Sequence, residues 1–213
     1  MRSEAMTPAA LEGEWSMDHE YQVTWRRTDA DWTEQARFLE ERDGLTIAGT
    51  ISSSGGTDWF QPAFTARYHL RLSADWSTTH FAVSIDSDAL PELGPLELSC
   101  DSSAGWCQGE SGIKRLARAN DIDLFLTPAT NSIPIRRLDL AIGDSVRISA
   151  LLVSIEDPRD GWQLTLDRQC YERLDDETYR FSSLDEQGAV TFTADLTVRD
   201  GIVLRYGEHW FAR

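Results

Sequence analysis

The chain has 213 residues and carries 20 Lys and Arg against 36 Asp and Glu, a formal charge of −16. This length suits one large β or α/β domain or at most two small ones, and buries about 70 per cent of the unfolded surface, so no disulfide or metal is needed for a core. So acidic a surface repels phosphate backbones and anionic bilayers, which argues against nucleic acid and membrane surfaces as partners of the whole molecule.

Residues 1–14 read as a tail or short helix, with Thr7 as cap and Pro8 at the first helical position. They contain no basic start followed by an apolar run, and no apolar stretch of 18 residues occurs in the chain, so neither a signal peptide nor a transmembrane segment is expected and the expected location is the cytoplasm. Residues 15–213 read as a single β domain. From about Tyr21 onward period-2 alternation dominates. Ser52-Ser53-Ser54-Gly55-Gly56 reads as a loop. Ala66, Tyr68, Leu70 and Leu72, then Phe81, Val83 and Ile85, form the apolar face of a hairpin turning at Ala74-Asp75-Trp76-Ser77.

Cys100 and Cys107 flank a turn and would lie opposite each other if the hairpin centred between Ser103 and Ala104. With Cys170 they make an odd, sparse set, the pattern of small buried thiols rather than a disulfide framework. Gly112 to Ala119 could supply one or two helical turns. Alternation returns at Val146, Ile148 and Ala150, at Trp162, Leu164 and Leu166, at Phe192, Ala194 and Leu196, and at Ile202 and Leu204. Asp43-Gly44, Asp160-Gly161 and Asp200-Gly201 supply the positive φ angles of tight turns. Without repeated crossover helices the sheet must be mainly antiparallel. The expectation is an all-β chain of about a dozen strands with few short helices.

The search for chemistry returns little. There is no Gly-x-Ser-x-Gly elbow, and His19, His69, His80 and His209 are scattered. Metal-ligand spacings, calcium loops and phosphate-binding glycine motifs are missing, so neither cofactor nor metal is expected, and no enzyme class is supported. One segment stands out, running from Asp121 to Leu138. Asp121 and Asp123 point the same way on a strand, a loop pinned by Pro128 and Pro134 follows, and Arg136 and Arg137 in extended chain face opposite sides. One Arg is expected to return to the Asp pair as a charge-assisted fork while Thr127, Thr130 and Asn131 fix the loop. The other, with Asn131, is expected at the mouth of a pocket to meet a polar or anionic head.

On this segment the chain resembles the putative glycolipid-binding family of bacteria, through Asp121-Ile122-Asp123, Thr127-Pro128, Thr130-Asn131 and Pro134-Ile135-Arg136-Arg137-Leu138. Weaker echoes run through Trp25-Arg26, Asp75-Trp76, Gly105-Trp106, Gln169-Cys170-Tyr171, Tyr179-Arg180-Phe181 and Asp200-Gly201-Ile202-Val203. The resemblance implies a spiral β-roll, a long antiparallel sheet curled around an apolar interior and similar in shape to periplasmic lipoprotein carriers.

The resulting expectation is a non-catalytic binding protein for a lipid-like or glycolipid-like amphiphile. Its ligand-binding residues would be Trp76, Trp106, Asp123, Asn131, Arg136, Arg137, Tyr171 and Tyr179, with some of Trp76, Trp106 and Trp162 changing environment on binding. Two rivals stand beside it. One is a small-metabolite hydrolase or isomerase with Asp121 or Asp123 as base and Tyr171 or Tyr179 as acid, and the other is a filled roll acting on another protein through its surface. Oligomeric state is not legible.

Overall fold

Among the described residues fifteen strands form where alternation and turn residues place them, more than the dozen expected. The computed structural model describes residues 19–55, 62–101, 105–113, 116, 119–156 and 160–213, of which 61% are strand. The expected tail or short helix at 1–14 lies outside the described residues, as does most of the Gly112–Ala119 segment.

A first meander comprises β1 (His19–Arg27), β2 (Trp32–Glu41), β3 (Gly44–Ser53), β4 (Phe64–Ser73), β5 (Thr78–Asp86), β6 (Leu96–Asp101), β7 (Gly105–Gln108) and β8 (Ser111–Gly112). After β9 (Asp121–Leu124), a 3-10 turn (Ala129–Asn131) and helix α1 (Ser132–Leu138), a second meander runs through β10 (Ser145–Ser154), β11 (Gln163–Arg173), β12 (Thr178–Leu184), β13 (Val190–Arg199), β14 (Ile202–Tyr206) and β15 (Trp210–Ala212). One sheet holds them all, in the order β8-β7-β6-β5-β4-β3-β2-β1-β15-β14-β13-β12-β11-β10-β9. Every pair is antiparallel except β9 with β10, which are parallel and joined by α1 as crossover.

This order forces curvature. Strands β8 and β9 are opposite edges of the sheet, yet only residues 113–120 separate them. Fifteen flat strands would hold the edges about 67 Å apart, and so short a connection reaches about 30 Å at most. The sheet therefore rolls up until its edges meet: the Trp106 indole N–H donates to the carbonyl of Ala119 at 2.8 Å, and the Asn120 N–H to that of Ser149 at 3.1 Å.

The register shows that it rolls past closure. Following the pairings from Phe81 through Leu70, Ile47, Phe38 and Trp25 to Trp210, Tyr206, Phe181 and Tyr171 traces one continuous inner face that ends at Ala150 and Asp121. The opposite face of the β9–β11 end carries Ile122, Leu124, Leu151 and Val153, and these are buried in the main core with Trp25, Phe38, Leu70 and Trp106. The sheet thus overlaps itself as a spiral, and its inner end is covered on both sides. A smaller core, Ile135, Tyr171, Phe181, Leu196 and Val203 among others, lies on the inner face of that end beneath α1.

The expected hairpin is β4–β5, with Ala66, Tyr68 and Leu70 opposite Ile85, Val83 and Phe81. Asp200 (φ 50°) and Gly201 (φ 74°) make the β13–β14 turn as the Asp-Gly signal requires. Two expectations need correction. The pairing puts Cys107 opposite Ser99 and Cys100 opposite Trp106, so the cysteines fall on opposite faces, and all three are thiols. The stretch from Ser132 to Leu138 is helical and not extended, because a proline in the first turn of a helix gives up only an N–H that has no partner there, so Pro134 is compatible with α1.

Candidate functional site

At 100° per residue a helix, like a strand, sends neighbouring side chains apart, so Arg136 and Arg137 leave α1 toward different strands. Arg137 forks onto Asp121, Nε to Oδ1 at 2.9 Å and Nη2 to Oδ2 at 2.6 Å, the expected return of one Arg to the strand. Burial pushes the Asp121 carboxyl up and Arg137 pulls it back. Arg136 takes a different course from the one expected. It pairs with Glu40 of β2, donates to the Asp200 carbonyl at 2.8 Å, and lies 4.6 Å over the Trp76 ring. Its aliphatic stem also occupies the space a Cβ at Gly201 would fill, so this turn requires glycine for room as well as for φ.

The apolar interior also holds a polar cluster. Glu34 sits on the inward phase of β2 between Trp32 and Ala36 and is fully buried. Its Oε1 accepts from the Tyr68 hydroxyl at 2.5 Å and from the Thr127 hydroxyl at 2.6 Å, while among the described residues Oε2 has no hydrogen-bond partner. Burial pushes this carboxyl up to about 7 against the pull of those two bonds. The cluster ties β2 and β4 to the loop after β9 across the roll.

Beside Thr127 opens a cavity of about 420 Å³ between the loop of residues 125–131 and the inner face of β11–β15 and β1. Leu124, Phe125, Leu152, Phe181, Phe192, Tyr206 and Trp210 form its apolar wall; Asp123, Asp167, Asn131, Ser183, Arg27 and His209 its polar one. Gln169 donates from one amide nitrogen to both carboxylates, to Asp123 at 2.7 Å and to Asp167 at 3.0 Å. Thr130 adds a bond to Asp123 at 3.2 Å and Ser183 one to Asp167 at 2.9 Å. Burial first, and then the charge of Asp167, pushes the Asp123 carboxyl up to about 6. Arg27 is buried and held by Asp29 at 2.5 and 2.9 Å, its guanidinium 5.0 Å from the Trp32 ring and 5.7 Å from that of Trp210. Phe192 and His209 also line a second groove of about 820 Å³.

Of the expected binding residues, Asp123 and Asn131 line the cavity. Tyr171 stands behind it, accepting from the Asn131 amide at 2.8 Å. The others lie elsewhere. Trp106 is core, Trp76 packs under Arg136, Tyr179 belongs to the smaller core with Arg173 over its ring, and the two arginines of α1 hold Glu40 and Asp121. Neither Arg136 nor Arg137 lines this cavity, and the arginine in its wall is Arg27. Trp162 donates to the Gly94 carbonyl at 2.9 Å, away from the cavity; Trp210 is the tryptophan in its wall among the described residues. Asp167, Tyr206 and His209 were not expected. Glu34 alone had a signal, a carboxylate on an otherwise apolar inward phase. No group of His, Cys, Asp and Glu suited to a metal occurs among the described residues.

A spiral β-roll with an internal, part-aromatic and part-acidic cavity is the class that fold and site define. The chain belongs to the family described as "Putative glycolipid-binding", whose family model matches residues 22–212. It is similar to the crystal structure of a DUF1089 family protein from Pseudomonas aeruginosa, with a TM-score of 0.58 and 26% identity over 96% of each chain. No curated protein matches it. Among the described residues no helix is long and apolar enough to cross a membrane.

Proposed function

We propose that this protein is a non-catalytic binding protein that holds a single-chain amphiphile in the cavity beneath the 125–131 loop. The division of the wall carries this reading: rings of Phe181, Phe192, Tyr206 and Trp210 on one side, hydrogen-bonding groups of Asp123, Asp167 and Asn131 on the other. A cavity of about 420 Å³ is within the range of small-molecule sites, roughly 300–1,000 Å³, and encloses a head with a short apolar stem. A longer molecule would leave past Phe192 and His209 into the adjoining groove. The family description supports the same class of ligand.

The position of Asp123 in the wall also supports the rival reading, a hydrolase or isomerase with this carboxylate as base. Its acid is poorly supplied. The Tyr171 hydroxyl is buried against Asn131 and held well above the ordinary tyrosine range by burial, and Tyr179 lies outside the cavity. Native mass spectrometry of protein from its own host, with Trp emission during titration by octyl glucoside below its micelle concentration, tests the binding reading. A co-purifying amphiphile and a saturable blue shift are expected. Bare protein with unchanged emission would leave a filled roll acting through its surface.

A further inference from the structure

The cavity holds two carboxylates whose charge no side chain among the described residues balances. Each basic group nearby has another acid: Arg137 has Asp121, Arg136 has Glu40, and Arg27 and His209 share Asp29. Among the described residues Asp123 and Asp167 form no ion pair. Their named partners are the neutral donors Thr130, Gln169 and Ser183, one bond to each oxygen, which leaves lone pairs on all four. Gln169 gives both amide hydrogens to this pair and so keeps two like charges side by side, an arrangement that costs stability unless a counter-charge arrives.

The opposite wall suits a counter-charge of one kind. Phe181, Phe192 and Tyr206 form a corner of rings with centroids 6.0–6.2 Å apart, Phe192 and Tyr206 stacked at 10°, and Trp210 continues it. Ring faces attract organic cations and bury their methyl or methylene groups, whereas a small inorganic cation gains little from them. The net charge of −16 draws cations toward the molecule and repels anions.

We propose that the cavity selects an amphiphile with an organic cationic head, an amine or quaternary ammonium, seated between the Asp123–Asp167 pair and these rings. The proposal rests on the amphiphile reading and narrows it. A sugar head could donate to the same carboxylates but would leave their charge in place, and a sulfate or phosphate head would add to it.

The test compares three single-chain probes of equal length, hexyltrimethylammonium, hexyl glucoside and hexyl sulfate, by isothermal titration calorimetry against the full chain. The ammonium probe is expected to bind at least about tenfold tighter than the glucoside, the gain from setting one positive charge between the carboxylates and the ring faces, with no binding of the sulfate. Asp167→Asn and Asp123→Asn should each weaken the ammonium probe about tenfold or more and leave the glucoside within about threefold. Glu97→Gln, a change to an exposed carboxylate outside the cavity, reports general attraction to an acidic surface and should change nothing. Equal affinities for all three probes, or ammonium binding that survives both Asn variants, overturn the cationic head while the amphiphile reading stands. Tighter glucoside binding overturns it in favour of a sugar head. Failure of every probe overturns both readings.

Discussion

Gly49 and Tyr68 are paired across β3 and β4, and the phenol ring lies where a side chain at position 49 would be: a Cβ there would come within 2.4 Å of the ring. The missing side chain lets Tyr68 lie over β3 and reach Glu34 on β2. Gly49→Ala should therefore cost on the order of 1–3 kcal/mol, through displacement of the ring and loss of a bond to a buried carboxylate. Urea denaturation measures it. In Tyr68→Phe, which lacks the hydroxyl, the added cost of Gly49→Ala should be smaller, and strict additivity would show that the two residues act separately.

Stability should fall as pH rises from 5 to 8. Glu34 is pushed up to about 7 and Asp123 to about 6, so the folded chain holds these protons more tightly than the unfolded chain. A raised carboxyl gives a contribution complete below its unfolded value of about 4 and lost as pH climbs through its folded value, on the order of 3 kcal/mol for Glu34. The lowered carboxyls of Glu20, Asp29, Asp75 and Asp175 act only below about pH 4, outside this window, while His69, lowered by burial though only half-buried, opposes the slope weakly within it. Urea melts at three pH values check the slope, and Glu34→Gln should flatten it.

Arg137→Ala and Arg136→Ala should differ. Asp121 is 1% exposed, so losing Arg137 strands a buried carboxylate at a cost of about 3–5 kcal/mol. Arg136 and Glu40 are each 28% exposed, and loss of that pair should cost about 1 kcal/mol. Equal losses in denaturant melts would contradict the assignment of the pairs.

Trp210 should report ligand entry. Trp210→Phe is expected to remove most of the emission shift produced by octyl glucoside, whereas Trp106→Phe and Trp162→Phe should leave it in place, since Trp210 stands in the cavity wall and the other two do not.

The strands were legible because alternation with one apolar face is a local pattern. β4 and β5 follow from Ala66 to Ile85 alone. The Asp121–Arg137 pair was legible because strand and helix lie 16 residues apart in one segment. The cavity was not, since Arg27, Asp123, Asp167, Tyr206 and Trp210 meet only after the sheet has curled, and alternation reports which face a side chain takes and not how the face bends. In β11 both phases are covered, Leu164 and Leu166 partly buried against the main core and Gln169 and Tyr171 buried on the inner face, so following the apolar phase passes over Asp167. The extended reading of Arg136 and Arg137 follows from treating Pro134 as a loop pin, whereas it stands in the first turn of α1.

The seam between β1 and β15 sets an order of assembly. Every other antiparallel pair joins strands consecutive in the chain, so each meander can zip from its own turns on the timescale of hairpins. The seam pairs Trp25, Arg26 and Arg27 with Ala212, Phe211 and Trp210, and must close the longest loop in the molecule. During synthesis the first meander emerges with β1 as a bare edge, open to pairing with other chains. It stays so until three residues that leave the ribosome after everything they join lie down beside it.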